Sequence, residues 1–336
     1  MLRVSAIKFA HKTLGEGKIG LKILKKLFLP CSLLLAGYLF GAYSFAHAIW
    51  PTNVLISKHN DNVAKVLSKN FDEIGAYSNL EGKTEVVCPV QNASSAVILV
   101  LGQSNSANHS ERKHTTLFPK RVINYYQGKC YTAESPLLGA SGLEGEYLTQ
   151  MGDALIKTGI FQNILIVNTS IGGSKVGDWV DSGRLTNTLK LTLDSLKMRY
   201  KVTNIIWHQG ESDFTSNTSF DVYRASFKSL ENSLQQNNAS APILMVTSTI
   251  CGYNSNWTAQ NPVSMAQKSL INDRQIFLGL DADTNLGPKD RRPQSPSQEP
   301  NCHLSARGQS VVSNAIAKKI TELATKARPN APSSSP

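Results

Sequence analysis

The chain has 336 residues, 41% of them hydrophobic and 18% charged, which is enough for a sizeable core and too apolar for a disordered tail. Its net charge of +11 is concentrated at one end, because residues 1–26 carry Arg3, Lys8, Lys12, Lys18, Lys22, Lys25 and Lys26 against Glu16 alone. The other 310 residues hold only +5, with no basic stripe on any predicted helix, so nucleic acid is excluded as a partner.

The first predicted element follows that basic block. From Leu27 to Trp50 the chain is almost wholly apolar, and no Asp, Glu, Lys or Arg occurs between Lys26 and Lys58. A helix of this length, rising about 1.5 Å per residue, crosses a hydrocarbon core of about 30 Å. The cations in front of it place the N-terminus in the cytoplasm. Residues 27–50 therefore read as a single-pass transmembrane signal anchor, with the rest of the chain periplasmic or extracellular. Ala46-His47-Ala48 also fits the small-x-small rule for a cleaved signal peptide, in which case the product is secreted. Residues 51–90 are polar and mixed, and read as a stalk and lead-in with one short helix from about Asp61 to Ile74.

From Ala96 onward, short apolar runs alternate with longer segments of helical spacing, the pattern of a parallel sheet with crossover helices. The predicted strands are Ala96–Leu101, Ile164–Asn168, Asn204–Trp207, Ile243–Val246 and Gln275–Leu280. Each is continuous in Val, Ile and Leu, as strands buried on both faces are. The predicted helices are Glu146–Thr158, Leu185–Tyr200, Phe220–Gln236, Ser264–Asp273 and Ser305–Ala327, with Ser305 as the N-cap of the last. This is a single three-layer α/β/α domain over residues 91–328, followed by a Pro/Ser-rich tail, 329–336, expected to be disordered. Four cysteines lie in it or in the lead-in, and export would allow them two disulfides by three connectivities. Cys88 with Cys130 and Cys251 with Cys302 is the expected pairing.

In such folds the site lies at the carboxyl ends of the strands, and there the sequence is unusual for turns. The first strand ends in Gly102-Gln103-Ser104-Asn105-Ser106, the second in Asn168-Thr169-Ser170-Ile171-Gly172-Gly173-Ser174, the third in His208-Gln209-Gly210-Glu211-Ser212-Asp213, and His303 stands just ahead of the final helix. A serine, a Gly-Gly, a side-chain amide and a histidine are the inventory of acyl transfer: nucleophile, oxyanion donors and general base. Backbone N–H groups of Ser104 and of Gly172 or Gly173, with the Gln209 amide, are the candidate donors. The remaining imidazoles, His109, His114 and His208, are spare bases, with His208 better suited to supporting its turn. Trp207 reads as core and Trp179 as either core or a sugar-stacking platform. His208, Glu211 and Asp213 lack further ligands nearby and are not read as a metal site.

GQSN after the first strand, GGS with Trp179 beyond it, WHQGESD after the third strand and CHLSARGQ before the last helix resemble the SGNH hydrolases. Within them the chain is similar to the carbohydrate-esterase branch of sialate O-acetylesterases and acetyl xylan esterases. The resemblance covers about residues 95–325. It implies a flavodoxin-like sandwich, Ser104 as nucleophile, His303 as base, Gly172 (or Gly173, if the alignment slips by one) as oxyanion glycine, and Gln209 as the side-chain donor. The family commonly places an Asp three residues before the histidine, where this chain has Pro300. Glu211, Glu299 or no acid at all then completes the site, and Glu211 is the preferred candidate because a strand end holds it more rigidly than the Pro-rich loop would hold Glu299. The implied activity is hydrolysis of acetyl esters on an acetylated carbohydrate, with no cofactor. A catalytically weakened glycan-binding protein and an O-acetyltransferase are the alternatives on the same fold. Specificity is expected in loops such as Asn108–Tyr126 and Thr249–Pro262.

Overall fold

The computed structural model describes residues 69–251, 260–293 and 300–327, together with 34–44, 46–47, 54–55 and 58. Two compact units divide at Ser68. In the first, residues 34–44 form a helix that leaves Leu34, Leu35, Tyr38, Leu39, Phe40 and Tyr43 exposed. Among the described residues no helix is long and apolar enough to cross a membrane. The rest of the expected 27–50 anchor, most of the Asp61–Ile74 helix and the C-terminal tail lie outside the described residues.

The second unit is built on an eight-stranded sheet. In chain order the elements are β1 Glu85–Val86, β2 Ser95–Gly102, β3 Val122–Tyr126, β4 Lys129–Thr132, α1 Leu148–Lys157, β5 Asn163–Asn168, α2 Thr186–Lys197, β6 Asn204–Gln209, α3 Glu211–Thr215, α4 Phe220–Gln236, β7 Ile243–Thr247, α5 Pro262–Leu270, β8 Ile276–Asp281, β9 Arg291–Pro293, β10 Pro300–Leu304 and α6 Ala306–Lys326. The sheet order is β1-β4-β3-β5-β2-β6-β7-β8, with β9 and β10 as a separate antiparallel pair. From β3 to β8 the pairing is parallel.

β2 shows why the strands read as unbroken apolar runs. Val97, Leu99 and Leu101 enter one core and Ala96, Ile98 and Val100 the other, so each alternate residue meets a helix layer. α2, α4 and α5 cover the first face, and α1 and α6 the second. The chain runs from β2 to β3, β4 and β5 on one side of it and then crosses to β6 on the other, which makes the carboxyl end of β2 the switch point where a crevice opens.

Two expectations need correction. Residues 122–126 are not loop but β3, the first arm of a hairpin with β4. Gln127 and Gly128 turn between them, with φ of 47° and 81°, a two-residue turn that needs positive φ at both positions. The sheet is therefore mixed at one edge, where β4 and β1 run antiparallel. The described end of the lead-in is also folded into the domain. Instead of continuing a helix to Ile74, Asp72 Oδ1 accepts the N–H groups of Ile74 at 3.1 Å and Ala76 at 2.8 Å, an Asx turn that competes with helix formation. Ala76 and Tyr77 are buried. The Cys88–Cys130 disulfide then fixes the segment to β4, and Cys251–Cys302 is the second bridge, the pairing expected from the sequence.

Candidate active site

The turn after β2 is forced by a close approach of two backbones. A Cβ at Gly102, whose φ is +141°, would lie 2.1 Å from the His208 carbonyl oxygen, so only glycine lets the ends of β2 and β6 meet. The His208 carbonyl accepts the Gln103 N–H at 3.1 Å and the Ser106 hydroxyl at 3.2 Å. The chain then coils into a buried 3-10 turn, Ser104–Ser106. Ser104 is 8% exposed, and no acceptor among the described residues takes its N–H. His208 thus supports the turn through its backbone. Its ring meets the Tyr147 hydroxyl at 3.3 Å, and burial, reinforced by Arg291, depresses its pKa to about 3.

The loop after β5 is laced to the same place. Ile171 N–H and the Ser174 hydroxyl both donate to the Gly102 carbonyl, at 3.0 and 3.1 Å. The two glycines then differ. Gly172 donates its N–H to Ser141 Oγ at 2.7 Å, and a Cβ there would come within 3.1 Å of His109 Nε2. Gly173, at φ +72°, would meet nothing within 4 Å, and its N–H has no acceptor among the described residues. Gly173, not Gly172, therefore carries the unspent donor.

Gln209 does not present a free amide. Its Nε2 lies 2.5 Å from Asp213 Oδ2, 3.0 Å from the Ser174 carbonyl and 3.2 Å from Gln103 Oε1, while its Oε1 accepts from Tyr223 at 2.9 Å. Two amide hydrogens shared among three acceptors leave none for a substrate oxygen in this arrangement, so the oxyanion role expected of Gln209 is not how its side chain is placed. It ties three loops together instead. Gln103 and Asp213 are its partners in this; the sequence offers Asp213 only as a metal ligand to be set aside and gives Gln103 no role. Gln103 Oε1 also accepts the Ser212 N–H at the start of α3, at 3.1 Å. Asp213 also accepts from Val176 N–H and Thr218 Oγ1, each at 2.8 Å.

Glu211 is buried at the first residue of α3, and its Oε1 accepts from Asn105 Nδ2 at 2.6 Å and Ser248 Oγ at 2.8 Å. Burial raises its pKa against those two hydrogen bonds and the Arg291 cation. The same Asn105 Nδ2 donates to the Cys302 carbonyl at 3.0 Å, and Arg291 Nη1 donates to that carbonyl at 2.7 Å. Glu211 thus reaches the histidine strand through Asn105 and the backbone rather than by a bond of its own to the imidazole. Glu299 lies outside the described residues.

His303 follows Cys302 on β10, so the residue after Ser104 is bonded to the residue before His303. Its ring stacks on His109, with centroids 5.2 Å apart and planes at 27°. Burial, followed by His109, Arg292 and Arg291, lowers its pKa to about 4, which keeps the ring neutral and able to accept a proton near pH 7. His109 Nε2 meets Ser141 Oγ at 3.0 Å, and that hydroxyl holds Gly172. His109, set aside as a spare base, is therefore part of this cluster. His114 pairs with Asp153 at 2.9 Å elsewhere. Trp179 and Trp207 are both buried and meet edge to face at 6.0 Å, so Trp179 is core. Among the described residues no group of three or more His, Cys, Asp or Glu is placed to hold a metal ion.

The geometry ties the strand-end turn that carries Ser104 to the strand that carries His303 through Asn105. A match to the family described as carbohydrate esterase, sialic acid-specific acetylesterase spans residues 94–322. The chain belongs to that family. It is accordingly a serine-type carboxylic ester hydrolase of the carbohydrate acetylesterase class. Among solved structures, the esterase is similar to a protein from Arabidopsis thaliana, with a TM-score of 0.51 and 17% identity over 68% of this chain and 98% of that one. Similarity also extends to the psychrotrophic esterase EstA from Pseudoalteromonas sp., with a TM-score of 0.43 and 15% identity over 68% and 97% of the two chains. A third is Axe2, an acetylxylan esterase from Geobacillus stearothermophilus, with a TM-score of 0.43 and 14% identity over 68% and 96%. Among curated proteins no sequence matches the esterase.

Proposed function

We propose that the esterase removes acetyl groups from carbohydrates by a Ser104–His303 acyl-enzyme mechanism, in a domain exported behind the 27–50 segment. One observation carries the assignment of the pair: the Asn105 side chain ties the Ser104 turn to the Cys302 carbonyl beside His303, at 3.0 Å. A serine hydroxyl is a poor nucleophile until a base takes its proton. In the first step Ser104 Oγ attacks the acetyl carbon as its proton passes to the neutral His303 ring. The negative charge gathers on the acetyl oxygen, and the N–H groups of Ser104 and Gly173, which no acceptor among the described residues uses, are the donors for it. Collapse of the tetrahedral adduct expels the sugar oxygen, which takes the proton from His303, and leaves acetyl-Ser104. Water then attacks that ester, His303 takes its proton and returns it to Ser104 Oγ, and acetate leaves.

Glu211 in this scheme is a positioning residue, holding Asn105 and thereby β10, and the charge transfer itself runs between serine and histidine. The test is acetate release from an acetylated oligosaccharide by the full chain. Ser104→Ala and His303→Ala are each expected to lower it by about a thousandfold or more, while His109→Ala, which removes the ring stacked on His303 and the hydrogen bond to Ser141 but no proton acceptor of the scheme, is expected to lower it far less. A His109→Ala loss equal to that of His303→Ala would move the base assignment to His109.

A further inference from the structure

A cavity of about 430 Å³ opens at the carboxyl edge of the sheet, beside the β3–β4 hairpin. It takes none of the residues of the Ser104–His303 site. Tyr125, Tyr126 and Leu191 give it an apolar wall, and Asp72, Gln127 and Thr188 a polar one. Gly139 packs closely against both the Asn168 backbone and the Tyr126 ring. A Cβ there would lie 2.5 Å from the Asn168 carbonyl and 3.3 Å from the Tyr126 ring.

Resting on the esterase reading above, we infer that this cavity is a subsite for a neutral sugar residue of the same acetylated chain whose ester lies at Ser104. The size falls within the range of about 300–1,000 Å³ seen for small-molecule sites. A sugar ring presents apolar C–H faces and a rim of hydroxyls. An aromatic ring with an aliphatic neighbour suits the faces, and the unspent polar atoms suit the rim. Asp72 spends Oδ1 on the Ile74 and Ala76 N–H groups and keeps Oδ2 unpartnered among the described residues, as Thr188 keeps Oγ1. The charge of the lining then selects among sugars. Among the described residues Asp72 is its only carboxylate and no Lys, Arg or His lines it, so an acidic sugar meets a like charge with no cation of that lining to offset it. A neutral sugar donates a hydroxyl to Asp72 without that cost.

Continuity with the reacting centre comes from Asn168. It lines the cavity, and its Nδ2 donates to the Ser106 carbonyl of the Ser104 turn at 2.8 Å. β5 separates β3 from β2, and with neighbouring strands about 4.8 Å apart the hairpin lies roughly 10 Å across the sheet edge from the nucleophile turn, a span bridged by a short oligosaccharide.

Full-length Ser104→Ala protein, titrated calorimetrically with xylotetraose, cellotetraose and sialyllactose, tests the assignment. At least one neutral oligosaccharide is expected to bind about tenfold or more tightly than sialyllactose. Adding Tyr126→Ala, or Asp72→Asn, which retains the Oδ1 turn acceptor, is expected to weaken that binding about tenfold. In the active protein the same two substitutions lower the ratio of kcat/KM on an acetylated oligosaccharide to kcat/KM on a small acetyl ester by a similar factor. Binding and ratio both indifferent to Tyr126 and Asp72, or tighter binding of sialyllactose, would overturn the subsite. Tyr126-dependent binding by a chain whose wild type releases no acetate would support the subsite and sink the esterase reading alone.

Discussion

Removing the Glu211 carboxylate separates two accounts of this site, because they differ by orders of magnitude. Were Glu211 the acid that orients and stabilises the imidazolium, its loss would cost kcat about ten-thousandfold, as in the well-studied triads. The structure gives it another task, accepting from Asn105 Nδ2 at 2.6 Å while that nitrogen holds the Cys302 carbonyl at 3.0 Å. A charge-assisted hydrogen bond of this kind contributes about 1.5–3 kcal/mol. If all of it is felt in the transition state, Glu211→Ala lowers kcat about 10- to 150-fold. Asn105→Ala breaks the same connection, so the two losses overlap. A double-mutant cycle on acetate release is expected to show a coupling of about 1.5–3 kcal/mol. Urea unfolding adds a second measure. Glu211→Ala removes one of the three carboxylates, with Asp283 and Asp290, whose charge offsets that of the buried Arg291, so the urea midpoint is expected to fall as well. Additive losses, or a ten-thousandfold fall confined to the Glu211 variants, would refute the positioning role.

Other outcomes follow from the same geometry. His303 acts as a base only when neutral, and burial with the neighbouring cations lowers its pKa to about 4, so kcat/KM is expected to fall as pH drops through about 4; an acid limb near the ordinary 6.5 of a solvated imidazole would contradict this. Stability has the same sign, because His208 and His303, depressed to about 3 and about 4 in the fold, take up protons more readily once unfolded. Their contribution is full above about pH 6.5 and is lost as pH falls towards those values, so the urea midpoint should drop steadily from pH 7 to pH 4. The disulfides differ in consequence although both close loops of similar span, with separations of 42 and 51 residues. Replacing either pair by serine is expected to cost about 2–5 kcal/mol of stability. Only loss of Cys251–Cys302, whose second cysteine precedes His303, should also lower kcat in protein that remains folded; equal kcat for the two variants would contradict the placement of His303 on that strand.

The strands and helices of the sandwich could be read because burial on both faces writes itself as continuous Val, Ile and Leu, and helical spacing breaks those runs. Phe220–Gln236 was placed to the residue, and Ser305 caps α6 by accepting the Gly308 N–H at 3.2 Å. The β3–β4 hairpin escaped notice because Asn124 interrupts its apolar pattern and Gln127-Gly128 is a weaker turn signal than Asn-Gly. Asn124 is buried there, its Oδ1 taking the Leu138 N–H at 2.7 Å, a long-range partner that no local pattern reveals. At the site, residue types were legible and pairings were not. Gln209 has the chemistry of an oxyanion donor, and only its neighbours Gln103, Ser174 and Asp213 show its amide committed elsewhere. Glu211 likewise lies 106 positions in sequence from the Asn105 that receives it. The nearest sequence hint was Asn105 itself, a polar residue beside the serine in GQSN with no local partner to occupy it.

The central claim is that Ser104 becomes acetylated and His303 drives both halves of the cycle. The most direct measurement is mass spectrometry of the full chain mixed briefly with a small acetyl ester and quenched in acid. A +42 Da adduct on the Ser104 peptide, absent from Ser104→Ala and formed far more slowly in His303→Ala, is the predicted result. Acetate release that persists in Ser104→Ala, or an adduct on another residue, would contradict the account.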